Sequence, residues 1–351
     1  MERNTRQIEL GGIKVGGGAP ITVQSMTKTD TRDIPGTVAQ IKSLEKAGCD
    51  IVRLAVPDMD AAKSLGEIKK QTNIPIISDI HFDYKLALEA VKQGVDGMRI
   101  NPGNIGSKYR IKAVVDAVRE RGIPIRIGVN SGSLEKDILK KHGSPTAEAL
   151  AESAFRHVEI LEDLDFRDIK ISVKSTDVKK MIASYRILAE RCEYPLHLGV
   201  TEAGTYEMGT IKSSIGIGTL LAEGIGDTIR VSLTGDPVDE VIVGFNILRS
   251  LGLRRNGIEL ISCPGCGRLE IDLMKLVKDV EDRITDINLP RPIKVAILGC
   301  VVNGPGEASE ADIGIAGGKG KGMLYKDGKL VRSFKEDQIV DELVKELKTF
   351  V

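Results

Sequence analysis

The chain has 351 residues, 41% hydrophobic and 28% charged, which suits two domains or one barrel plus a small module. Lys plus Arg and Asp plus Glu both total 50, so no global field draws in nucleic acid or an acidic membrane. Six Tyr, six Phe and no Trp argue against a base-stacking surface, and no apolar run approaches the length of a membrane span.

Met1–Asn4 carries no apolar signal region, and the five cysteines are unevenly spread; both lead us to expect a reducing cytoplasm. Residues Ile8–Val15 predict a hairpin that plugs the bottom of a barrel. From Ile21 to Pro237 one unit recurs: a short β-branched strand, a polar or Gly-rich loop, then an amphipathic helix. The strands are predicted over Ile21–Ser25, Ile51–Ala55, Ile74–Ile80, Gly97–Asn101, Ile123–Val129, Ile169–Lys174, Leu196–Val200 and Thr228–Leu233. Helical patterns run over Thr37–Ala47, Asp58–Gln71, Tyr84–Gln93, Lys108–Arg121, Ala147–Asp163 and Val178–Cys192. Gly48, Gly94 and Gly122 punctuate their ends. Eight alternations point to a (β/α)8 TIM barrel over residues 1–253; an open doubly wound sheet is the alternative.

After Leu253 the pattern changes. Ile258–Ser262 and Ile293–Leu298 read as strands flanking a helix over Leu269–Arg283. Asp327-Gly328 marks a hairpin turn and Glu336–Phe350 a closing helix. Residues 254–351 are therefore expected to form a small α/β module.

Cations interrupt the apolar barrel strands: Arg53, Arg99, Arg126, Lys174 and Arg230. Each is flanked by residues that alternation sends outward to the helices, so each points inward. A barrel binds its ligands at the C-terminal mouth, and buried cations are costly without a partner. The pattern suggests a polyanion pocket suited to phosphates. A buried ion-pair network is the alternative, with Asp79, Glu202 and Asp227 as candidate partners. Asp79 and His81 end the third strand on one face, where acid–base work or a purely structural role are both open. His197 sits lower in its strand as an interior residue; His142 and His157 read as surface or helix residues.

Cys263 and Cys266 form C-x-x-C, and Cys300 follows in the second strand's loop. Three thiolates suit an iron–sulfur cluster with one iron lacking a thiolate; zinc and a simple dithiol are the rival readings. Glu307, after Gly304-Pro305-Gly306, is a candidate fourth ligand, with Glu310 as competitor.

The run Ser262-Cys263-Pro264-Gly265-Cys266-Gly267-Arg268, with Gly299-Cys300-Val301-Val302-Asn303-Gly304-Pro305-Gly306-Glu307-Ala308, resembles the bacterial hydroxymethylbutenyl diphosphate synthases, the GcpE or IspG family. Val23-Gln24-Ser25-Met26-Thr27 and Asn101-Pro102-Gly103-Asn104-Ile105-Gly106 are similar too, so the resemblance spans nearly the whole chain. It implies reductive ring opening and dehydroxylation of methylerythritol cyclodiphosphate in the non-mevalonate route to isoprenoids. It implies a dihydropteroate-synthase-like barrel followed by a sulfite-reductase-like cluster domain. A 4Fe–4S cluster is implied on Cys263, Cys266, Cys300 and Glu307, with ferredoxin or flavodoxin as electron donor. Substrate contacts carry over to Arg53, Arg99, Asn101, Arg126, Asn130, Lys174, Thr201, Arg230 and Ser232. Catalytic roles carry over to Asp79, His81, Glu202 and Glu307. A head-to-tail homodimer with shared active sites is expected. Two other classes are a pterin or corrinoid methyltransferase-like barrel and a metal-stabilised electron carrier or binding module.

Overall fold

The computed structural model describes residues 3–254, 258–284, 287 and 293–350. It divides into two compact units, Met1–Arg254 and Arg255–Val351. In the first, β1 (Ile8–Leu10) and β2 (Ile13–Val15) pair as a hairpin. Eight further strands follow: β3 (Thr22–Met26), β4 (Ile51–Ala55), β5 (Ile76–Asp79), β6 (Gly97–Ile100), β7 (Ile125–Asn130), β8 (Ile169–Lys174), β9 (His197–Leu198) and β10 (Thr228–Ile229). They form one sheet in the order β8-β7-β6-β5-β4-β3-β10-β9, parallel throughout. A parallel bridge from Ile171 to Leu196 joins the two edges. The sheet is closed, which excludes the open alternative and makes this a (β/α)8 barrel.

Outward residues such as Val52, Leu54, Met98, Ile100, Ile127 and Val173 are fully buried beneath the helix ring. That burial is the main drive for closure. The helices begin where short polar side chains bind free amides: Asp58 accepts from Ala61 N, Asp177 from Lys180 N and Thr146 from Ala149 N. The hairpin packs Leu10 against Ile51 and Ile77 at the barrel bottom, as expected of a plug. Gly97 permits this, since a Cβ there would lie 3.1 Å from both Leu10 and Ile77.

Two strands and one helix differ most from their predicted extents. The predicted strands Leu196–Val200 and Thr228–Leu233 shrink to β9 and β10. Beyond them, side chains take the backbone groups that a strand neighbour would bind. Glu240 accepts from Leu233 N at 3.1 Å, and Lys28 donates to Leu233 O at 2.9 Å. The helix predicted from Thr37 starts at Ile34, because Asp33 caps Gly36 N and Pro35 fits the first turn.

The second unit is a five-stranded sheet in sequence order: β11 (Ile258–Ser262), β12 (Ile293–Leu298), β13 (Ile313–Gly318), β14 (Lys321–Lys326) and β15 (Lys329–Lys335). The first three are parallel and the last two antiparallel. Helices Leu273–Ile284 and Ile339–Leu347 bury their apolar faces on one side with Val295, Ile297 and Ile315. The short helix Gly304–Ser309 lies on the other, over Ala296, Leu298 and Ala316. The Asp327-Gly328 turn forms as expected, with φ of 48° and 78°.

Candidate active site

Alternation along β4 to β8 turns Arg53, Asp79, Arg99, Arg126, Lys170 and Lys174 to the barrel axis. The register sets them side by side: Asp79 opposite Arg99, Arg99 opposite Arg126, Asn130 opposite Lys174. At the C-terminal ends of the strands all but Lys170, which lies one step deeper, converge on a pocket. It is lined by Arg53, Asp79, His81, Arg99, Arg126, Gly128, Asn130, Ser172, Lys174, Thr201, Arg230 and Ser232. Wider grooves outside the barrel, such as that lined by Lys63, Glu67 and Lys92, gather no comparable set.

Two sequence-predicted residues lie outside this lining. Asn101 is buried behind it, where its Oδ1 accepts from Gly128 N at 2.9 Å. Glu202 is exposed, in the left-handed region with φ of 51°. Thr201, Arg230 and Ser232 reach the pocket from the irregular segments after β9 and β10 rather than from strands.

The cations divide by partner. Asp79 holds two: Arg99 Nη1 donates to its Oδ1 at 3.1 Å, and Arg53 Nε stands 3.5 Å from Oδ2. Burial alone would raise the Asp79 carboxyl, yet Arg53, Arg99 and Arg126 together pull it down to about 2. Arg99 also donates to Gly128 O at 2.7 Å and lies within 3.1 Å of both His81 ring nitrogens. Burial, and then the Arg99 charge, lower the half-exposed His81. Its imidazole is held neutral beside the cations. Arg230 meets Glu240 at 3.3 Å.

Arg126 and Lys174 form no ion pair with a carboxylate among the described residues. Both are almost fully buried, and Arg126 Nε and Nη1 find no hydrogen-bond partner. Burial and then neighbouring cations push both well below their ordinary values. The ion-pair reading thus describes Arg53, Arg99 and Arg230 and leaves Arg126 and Lys174 unexplained. Removing water from an unpaired cation is expensive, so these two sites favour an anionic ligand. Glycines open the space. A Cβ at Gly128 would lie 2.4 Å from Arg99 Nε, and one at Gly199 would lie 2.7 Å from Lys174 Nζ.

Sequence reasoning missed Glu240, Lys170 and Ser172. Glu240 is 1% exposed and also accepts from Ser25 Oγ and Leu233 N. It sits in the first turn of a helix, where an acid usually looks like a solvated N-terminal charge. Lys170 and Ser172 share the inward face with Lys174 at i, i+2 and i+4, so strand alternation contained the signal. His197 is interior as read, fully buried with Nδ1 2.6 Å from Thr228 Oγ1.

In the second unit, β11 and β12 are adjacent and parallel, with Ser262 opposite Ile297. The loops bearing Cys263, Cys266 and Cys300 therefore leave the same sheet edge. All three thiols are free. Gly299 N points at Cys263 Sγ at 3.4 Å, and the amides of Val302 and Asn303 lower the Cys300 thiol. Amides aimed at sulfur suit thiolate ligands of an iron–sulfur group. Among the described residues no three His, Cys, Asp or Glu side chains already stand together as a metal site. Glu307 and Glu310 are both exposed, at the middle and just past the end of the short helix Gly304–Ser309. Gly314 lets that helix sit against β13, since a Cβ there would lie 2.2 Å from Ala308 O.

The barrel is similar to dihydropteroate synthase from Stenotrophomonas maltophilia, with a TM-score of 0.52 and 14% identity over 71% of this chain and 98% of that one. At that identity the likeness concerns the fold. Sequence relatives are much nearer. The 4-hydroxy-3-methylbut-2-en-1-yl diphosphate synthase (flavodoxin) of Clostridium acetobutylicum is 62% identical over 98% of both chains. Its namesake from Thermodesulfovibrio yellowstonii is 59% identical over 99% of both. Residues 5–245 match the family described as GcpE TIM-barrel domain, and residues 259–349 match the GcpE protein C-terminal domain. A cation-rich barrel mouth, a cysteine-bearing second unit and a match along nearly every residue place this chain in the GcpE family.

Proposed function

We propose that this chain is a 4-hydroxy-3-methylbut-2-en-1-yl diphosphate synthase. It opens the ring of 2-C-methyl-D-erythritol 2,4-cyclodiphosphate and removes one hydroxyl as water, taking up two electrons and two protons overall. The observation that carries the reading is the pair Arg126 and Lys174, buried at the mouth with no anionic partner among the described residues, in a chain matched over 98% of its length by a synthase of this name.

In this reading the barrel does the binding. Arg126, Lys174 and Arg230 grip the diphosphate, and Asn130, Thr201 and Ser232 supply neutral hydrogen bonds. The cyclic diphosphate is a leaving group when the ring opens, so cations placed around it stabilise charge as it develops. Asp79 keeps Arg53 and Arg99 aligned, and the neutral His81 is placed to donate or accept a proton at the pocket rim. Glu202 acts only where the exposed segment it occupies folds over the ligand.

The donor set fits a 4Fe–4S cluster held by Cys263, Cys266 and Cys300, with Glu307 as the fourth, non-thiolate ligand. When bound, such a group supplies electrons one at a time together with a Lewis-acidic iron. Flavodoxin, named in the relatives' activity, is the donor we favour over ferredoxin.

The test is direct. Anaerobically reconstituted protein is mixed with the cyclodiphosphate and reduced flavodoxin, and hydroxymethylbutenyl diphosphate is followed by mass spectrometry. Brown protein that forms this product supports the reading. Colourless, zinc-bearing protein that binds a pterin and forms no product would overturn it.

A further inference from the structure

His157 reads in the sequence as an ordinary helix residue. In the structure it is 2% exposed, on the helix Ala147–Glu162, and its two ring nitrogens face two different loops of the barrel mouth. Gly103 N donates to Nδ1 at 3.2 Å. On the other side, Nε2 stands 3.2 Å from Glu135 Oε1, an electrostatic contact at ion-pair distance rather than an aligned hydrogen bond. Ser153, from the same helix, donates to Glu135 Oε2 at 2.7 Å and fixes that carboxylate.

These contacts have a consistent chemistry. An amide donor at Nδ1 requires a lone pair there, so the ring proton sits on Nε2, facing the carboxylate. Burial would raise the Glu135 carboxyl, but His157 and Ser153 hold it down to about 2. The charge needed opposite Nε2 is therefore present across the working pH range. The fit is also steric. A Cβ on Gly103 would lie 2.8 Å from His157 Cε1, so the loop reaches the ring only because that residue is glycine.

The two loops follow Asn130, which lines the pocket, and Asn101, which is buried behind it and bonded to Gly128 N. Gly103 lies two residues after Asn101, in the turn Pro102–Ile105 that follows β6. Glu135 immediately precedes the helix Lys136–His142, five residues after Asn130 at the end of β7. We propose that His157 is a positioning residue: with Glu135 and Ser153 it couples the loops after β6 and β7 and so sets the separation of Asn101 and Asn130. It does this without lining the pocket. The proposal rests on the reading of the mouth as the cyclodiphosphate site.

Two substitutions separate the two contacts. Asn places its carbonyl oxygen near the Nδ1 position, so His157→Asn keeps an acceptor for Gly103 N. Gln reaches the Nε2 position, so His157→Gln keeps a donor for Glu135 and leaves Gly103 N unpaired. Binding of the cyclodiphosphate to the full-length protein is measured by calorimetry, with Tm recorded for each variant. Each variant breaks one of the two links, so His157→Gln and His157→Asn should each weaken binding about tenfold, the effect of one lost contact on the placement of the loops. Gly103→Ala removes no polar group but presses a Cβ against the buried ring, so it should lower Tm and weaken binding to a similar degree, the three affinity losses being alike while the Tm losses differ. Affinity that simply follows Tm in all three, or that none of them changes, overturns the positioning role. Wild-type protein that binds no cyclodiphosphate fails the pocket reading itself, and the proposal falls with it.

Discussion

Arg126 and Lys174 differ from the other cations of the pocket in having no carboxylate partner among the described residues. Their replacement therefore has a different consequence. Arg126→Ala or Lys174→Ala should weaken cyclodiphosphate binding by about 1.5–3 kcal/mol each while Tm holds or rises. Arg230→Ala strips a charge from Glu240, so it should lower Tm as well as affinity. That stability cost should be about 2 kcal/mol, moderated because Lys28 Nζ still stands 3.5 Å from Glu240 and Ser25 and Leu233 N still donate to it. Calorimetry paired with thermal melts separates the two behaviours; unchanged affinity in Arg126→Ala would mark that residue as structural. Lys170, one step deeper, is 1% exposed with Nζ unbonded, and burial lowers its amine to about 7 from 10.5. The unfolded chain then binds more protons than the native one between pH 7 and 10.5, so native stability rises with pH across that window. Lys170→Met should be the more stable protein at pH 7, and its advantage should shrink toward pH 10. Urea unfolding at several pH values checks this; a constant difference would mean Lys170 does not titrate there.

Strands and loops, rather than isolated side chains, bring the second unit's thiols to one edge. Parallel pairing of β11 with β12 places both cysteine loops at the same end of the sheet, and Gly314 seats the helix bearing Glu307 beside them. Cys263→Ser, Cys266→Ser and Cys300→Ser should each lose iron, visible absorbance and turnover. Cys49→Ser and Cys192→Ser should keep all three. Cys49 is buried in the barrel, where burial pushes its thiol up to about 12, and Cys192 is raised for the same reason. Glu307→Ala should retain much of the iron and lose most turnover. Iron analysis with a turnover assay decides; a fully active Cys300→Ser enzyme would end the cluster reading, and an active Glu307→Ala would move the ligand role to Glu310 or water.

The barrel unit also dictates where the chain leaves it. Helix Pro237–Ser250 carries the chain back from the mouth, and Arg254 then binds Ile21 O and the Asp50 carboxylate, just ahead of β3 and β4. The described part of the barrel unit thus ends at the barrel bottom, about 20 Å of helix away from the pocket. We propose, in line with the family likeness, a two-fold head-to-tail dimer with shared active sites. Mixed dimers of Cys300→Ser and Lys174→Ala protomers, each inactive alone, should recover activity because one of their two sites is intact. No recovery after verified subunit exchange would mean that each chain completes its own site.

Sequence alone determined the eightfold strand–helix alternation and the inward cations, because strand period and burial are local properties of the chain. The cysteine motifs and the family likeness were equally legible, since they rest on short contiguous runs. What needed tertiary structure was whatever depends on partners distant along the chain. Barrel closure rests on the Ile171–Leu196 bridge, which no local pattern encodes. The bounds of the helix Tyr206–Ala222, one of the eight alternations, were not legible because its apolar residues do not gather on one face: Tyr206, Ile211 and Ile215 are exposed while Ile217 and Leu220 are buried. Which cations are free was likewise decided in three dimensions. Asp79 and Glu240 pair with Arg53, Arg99 and Arg230 but not with Arg126 or Lys174, and a charge's cost depends on what surrounds it rather than on its neighbours in sequence.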